Sequence, residues 1–78
     1  MLIVMERLIT GRDGVVRVGR REWNYNTIAF TTKAKECKMS ALAIWAMLNG
    51  LTEVRVVEGR QVWESSVDSS RMFLEAQK

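Results

Sequence analysis

The chain has 78 residues and a formal net charge of +3, with 47% hydrophobic and 27% charged side chains and no proline. That length has room for one domain, residues 1–78, and the balance of apolar and charged residues excludes a disordered or low-complexity chain. Histidine is absent and cysteine occurs once, at Cys37, which excludes an intrachain disulfide and a tetrahedral zinc site of histidine and cysteine ligands.

The charge is uneven. Residues 1–35 carry seven basic against three acidic side chains, a local +4, and residues 36–78 carry five against six, a local −1. A basic first half suits nucleic acid or an acidic protein surface, and it suits a solvated arginine edge equally. The opening Met1–Met5 run is interrupted by Glu6 and Arg7. That is shorter than the roughly 7–15 apolar residues of a secretory signal and the about 20 of a membrane helix, so the expected compartment is the cytoplasm.

Leu2–Ile9 is apolar apart from Glu6 and Arg7, Gly11-Arg12-Asp13-Gly14 has turn chemistry, and Val15-Val16-Arg17-Val18 is β-branched. A β-hairpin closing on that turn is the expectation. The turn shares the GXXG string of KH domains, but there the loop joins two helices and here it joins two strand-like runs. A third strand is expected over Glu22–Thr31, from Trp23, Tyr25, Ile28 and Phe30. Alternation breaks within it, because Trp23 and Tyr25 share one parity and Ile28 and Phe30 the other. That break requires a bulge near Asn24–Asn26 or a sheet covered on both faces.

Lys33–Asn49 reads as the main helix, capped by Thr31 or Thr32 and stopped by Asn49-Gly50. Ala34, Cys37, Ala41, Ile44, Trp45 and Leu48 follow the spacing of a core-facing stripe. Glu53–Val57 and Gln61–Trp63 form a second expected hairpin, turning at Glu58-Gly59 with or without Arg60. A two-residue loop sets Trp63 opposite Val54, and a three-residue loop sets it opposite Arg55, within reach of a cation–π contact. Ser65-Ser66-Val67-Asp68 has capping-box spacing ahead of a short helix over Arg71–Gln77. The expected order is therefore β-β-β-α-β-β-α, a small α+β domain with an antiparallel sheet packed by one main helix.

The side chains offer little to catalysis. Without histidine the commonest general base and metal ligand are missing, and Cys37 falls on the core stripe, where a thiol acts as a small hydrophobe. The serine pairs Ser65-Ser66 and Ser69-Ser70 have no base beside them. Dispersed acids such as Glu53, Glu58, Glu64 and Asp68 read as solvated. The expectation is a non-enzymatic protein with no cofactor and no metal.

Two surfaces are expected to bind. One is a basic and aromatic edge, Arg12, Arg17, Arg20, Arg21, Trp23 and Tyr25, suited to stacking bases and neutralising phosphates or to a protein hot spot. Its alternative is a solubilising arginine edge over core aromatics. The other is the second apolar side of the main helix, Met39, Leu42, Ala43, Ala46 and Met47. Either the C-terminal helix covers that side or another chain does, most simply a second copy in a homodimer. Together these features predict a small regulator or inhibitor that binds a protein partner and occludes a surface of a larger complex. The alternative is a basic nucleic-acid-binding regulator acting through the arginine edge.

Overall fold

A computed structural model of the chain describes residues 1–76. Five strands and three short helices follow one another as β1 (Leu2–Thr10), β2 (Val16–Asn24), α1 (Tyr25–Thr32), α2 (Ala34–Cys37), α3 (Ala41–Leu48), β3 (Glu53–Val57), β4 (Arg60–Glu64) and β5 (Arg71–Glu75). All strand pairs are antiparallel, and the sheet runs β2-β1-β5-β4-β3. The fold is α+β, with the helices layered on one face of the sheet. Among the described residues no helix is long and apolar enough to cross a membrane.

Both expected hairpins form. In β1–β2, Gly14 takes positive φ, Asp13 Oδ1 accepts from Val15 N at 3.0 Å, and the strands close at Thr10↔Val16. In β3–β4 the loop is the two residues Glu58-Gly59, both at positive φ, as the primed hairpin turns require. Trp63 therefore lies opposite Val54, and Arg55 turns instead to Glu64 at 2.6 Å.

The third strand expected over Glu22–Thr31 is not formed. β2 ends at Asn24, whose side chain accepts from Thr27 N at 3.2 Å and caps α1. The break in alternation is thus a change of period from strand to helix, not a bulge. Ile28 is buried, while Tyr25 and Ala29, three residues before it and one after, also lean on the core. The β-propensity of these residues is overridden by a cap and by packing.

The main helix expected over Lys33–Asn49 is split. Lys33 and Lys38 both adopt the left-handed conformation, and Ser40 Oγ accepts from Ala43 N at 3.0 Å to start α3 afresh. Serine is the lone polar residue between Met39 and Leu48, and its backbone-competing hydroxyl serves the cap better than the helix interior. The stop at Asn49-Gly50 is as expected, with Gly50 at positive φ. The helix expected over Arg71–Gln77 is a strand as far as Glu75, and Gln77 lies outside the described residues. Ser65 and Asp68 cap a turn instead of a helix. Ser65 Oγ accepts from Val67 N and Asp68 N at 3.1 and 3.3 Å, and Asp68 Oδ1 from Ser70 N at 2.8 Å.

The register divides the core in two. On the helix side, Ile3 and Met72 lie with Ile28, Ala34, Ala41, Leu42, Ala46 and Leu51, flanked by Trp23, Trp45 and Trp63. Trp23 and Trp45 meet edge to face, centroids 5.6 Å apart. On the other face Val4, Val62 and Phe73 form a smaller cluster edged by Leu2 and Val57. Among the described residues no helix roofs that face. Arg60 and Arg71 lie over the Phe73 ring, at 4.8 and 5.7 Å from its centroid, and shield it.

Candidate functional site

β1 and β2 are each nine residues long, but β5 pairs with β1 only through Glu6↔Arg71. Arg7–Gly19 therefore continues as a two-stranded arm beyond the five-stranded body, in a molecule 46 Å long and 25–29 Å across. Four further residues per strand at about 3.3 Å each make the paired part of the arm roughly 13 Å long. Its base is tied down where Leu8 N donates to Ser69 Oγ at 2.9 Å, so the β4–β5 connection replaces the missing strand partner.

The arm is apolar on its surface. Leu8 and Val18 face each other on the unroofed side of the sheet at 58% and 61% exposure, Val16 lies beside them, and Val15 is also exposed. Ile9 occupies the opposite face, over Gly19, where an added Cβ would stand 2.7 Å from Ile9 Cδ1. Leu8 and Val18 also line an open groove of about 450 Å³, bordered by Glu6, Arg71, Ser69 and Glu64. Its rim is polar, and Arg71 holds Glu6 at 3.2 Å.

The expected basic edge is divided by the register. Arg17, Arg21 and Trp23 point to the helix side of the sheet, Arg20 points to the unroofed side, and Arg12 lies in the turn. Arg20 is spent on three carboxylates: Glu75 at 3.0 Å, Glu22 at 3.1 Å and Glu6 at 3.7 Å. Hydrogen bonds to Glu22 and then Glu75 hold its guanidinium pKa above the ordinary arginine value. Arg17 pairs with Asp13 at 3.5 Å, and Arg21 lies over the Trp23 ring at 5.6 Å. Trp23 and Tyr25 are partly buried against the core, which leaves less of each ring to stack a base.

The expected apolar helix face is largely interior. Leu42 is 3% exposed and Ala46 fully buried, both inside the chain's own core, and Ala43 is half-buried. Only Met39 and Met47 of that set are exposed, so these five residues form no continuous surface for a second copy. α3 is apolar on more than one stripe, and the break at Lys38–Ser40 reset its rotation: of the expected core stripe Ala41 is buried and Ile44 and Trp45 pack against the core, but Leu48 is exposed. For the same reason Cys37, expected in the core, is exposed at the end of α2.

Among the described residues no three His, Cys, Asp or Glu side chains converge as a metal site. The reading from sequence missed the exposed pairing of Leu8 with Val18, and it missed Phe30, which stands out from α1 at 87% exposure. The arm had a signal: a β-branched run on both sides of a turn, longer than its later partner strand. Comparison with family models, with curated proteins and with solved structures gives no match for this chain.

Proposed function

We propose that this chain is a non-enzymatic binding protein of the cytoplasm that presents the β1–β2 arm to a protein partner and so occludes part of that partner's surface, as a regulator or inhibitor does. The observation that carries this reading is the concentration of exposed aliphatic side chains, Leu8, Ile9, Val15, Val16 and Val18, on a projecting hairpin. Folding alone gains little from leaving them in water, and a partner that buries them gains on the order of 25 cal/mol per Å². Among the described residues no strand pairs with the outer edge of β2, so its backbone groups are open to strand addition. Nucleic acid is the lesser reading here. Aliphatic side chains do not stack bases, and Arg17 and Arg20 already have carboxylate partners.

The test is a cross-strand exchange, Leu8→Lys with Val18→Glu. It removes the apolar pair but leaves an opposite-charge pair in register, so stability should change by under about 1 kcal/mol. Wild type and variant are used to capture partners from native lysate, with protein and nucleic-acid content both measured. A protein retained by wild type and lost by the folded variant supports the reading. Equal capture by both, or capture of nucleic acid alone, overturns it.

A further inference from the structure

The helix layer carries a second exposed feature, separate from the arm. Phe30 lies on the side of α1 turned away from Ile28 and the core, so its ring stands in solvent. Beside it the chain carries Lys33, Lys35 and Lys38, which are all the lysines of the described residues. None of the three forms an ion pair among the described residues. By contrast Arg17, Arg20, Arg55 and Arg71 hold carboxylates, and Arg21 and Arg60 lie over rings. The arginines are largely committed within the fold, and Lys33 and Lys35 line one depression with Phe30.

The backbone there is held in an unusual form. Lys33 and Lys38 are non-glycine residues at φ of 54° and 55°, a left-handed conformation that residues with a Cβ rarely adopt. Between them α2 borders a shallow depression of about 600 Å³, lined by Ala29, Phe30, Thr31, Lys33, Lys35 and Glu36. That volume accommodates a large side chain and the backbone on either side of it.

We propose that this depression is a docking site for an acidic segment of a partner protein, one that carries an aromatic or large aliphatic residue among carboxylates. The apolar residue packs on the Phe30 ring, and the carboxylates reach the ammonium groups of Lys33 and Lys35. Charge complementarity selects the class: Lys33 and Lys35 against the single Glu36 call for an anionic ligand, and the bare ring calls for an apolar group within it. A single-stranded nucleic acid also offers charge and stacking. It is disfavoured because one ring stacks one base, Glu36 opposes a phosphate in the same depression, and arginine, the bidentate phosphate ligand, is absent.

The test uses the ¹⁵N-labelled 78-residue chain and three probes: a peptide of about a dozen residues with one tryptophan among glutamates, its glutamine counterpart, and an oligothymidylate of about ten nucleotides. The acidic peptide should shift amides within Ala29–Lys38 and leave the arm unchanged. Phe30→Ala should weaken it about tenfold, as loss of an anchor does, and replacing its glutamates by glutamine should do the same. Lys33→Asn and Lys35→Gln together should abolish the response, and asparagine tolerates the left-handed backbone at Lys33. Since Phe30 and these lysines are exposed, the remaining spectrum should be preserved, which separates lost binding from lost fold. Shifts spread over other surfaces, indifference to Phe30→Ala, or tighter binding of the oligothymidylate at these amides would each overturn the proposal. None of those results bears on the arm, whose variant leaves Phe30 untouched.

Discussion

Asp68 shows how a single side chain ties local chemistry to the whole fold. Its carboxylate accepts the backbone N–H of Ser70, and this bond, followed by one from the Ser70 hydroxyl, lowers its pKa below the ordinary 3.8. Ser65 assists from the other side of the turn, and the charge of Arg7 at the base of the arm acts in the same direction. A depressed carboxyl pKa means that the ionised form is favoured by folding. Its contribution is therefore fully present above about pH 3.8 and is lost as pH falls through the lower folded value. An NMR titration following the Ser70 amide should give a midpoint below 3.8. Asp68→Asn, which keeps an acceptor oxygen, should flatten that titration while leaving the turn closed. A midpoint at or above 3.8 would refute the assignment.

The elements are short, and their ends are set by side chains as much as by periodicity. α1 and α3 are eight residues each, below the length at which a helix is stable alone in water. Each depends on its cap and on the core beneath it. Ser40 carries the cap of α3, so Ser40→Ala should cost about 1 kcal/mol in chemical denaturation, with an unchanged m-value. Ser40→Asp, which caps equally well, should recover it. Were the hydroxyl idle, alanine, a better helix former, would be neutral or stabilising. α3 also shows a limit of pattern reading. Its run Ala41-Leu42-Ala43-Ile44-Trp45-Ala46-Met47-Leu48 has no polar residue, so the stripe of Ala41, Ile44, Trp45 and Leu48 competes with a second apolar side that contains Leu42 and Ala46. Contact with α1 and the sheet chooses the side with Ala41, Leu42 and Ala46.

Across the whole molecule the decisive element is β5. It lies in the middle of the sheet, between β1 and β4, and buries Met72 on one face and Phe73 on the other. The five strands become one sheet only through it, because β1–β2 and β3–β4 are otherwise separate hairpins. Isolated hairpins are at best marginal in water. A chain ending at Ser70 should therefore lose cooperative unfolding and the dispersed amide spectrum together. A folded truncated form would show that the helix layer holds the hairpins without their central strand.

Much of this architecture is determined locally. The α+β class, both hairpins, their turns at Gly11–Gly14 and Glu58-Gly59, and the stop at Asn49-Gly50 follow from turn glycines, β-branched runs and one helix terminator. These signals operate within a few residues and need no distant partner. Three features were decided only by tertiary structure. Arg71–Glu75 is a strand because β1 and β4 flank it, and a central strand buried on both faces has the same short apolar run as a helix. Leu42 and Ala46 are core and Phe30 is not, because packing selects one side of helices that are apolar beyond a single stripe. Arg20 is neutralised by Glu6, Glu22 and Glu75, which come from three strands; sequence distance conceals that cluster and register assembles it. Local propensity determined where the chain turns, and long-range pairing determined which of its apolar and charged side chains remain for a partner.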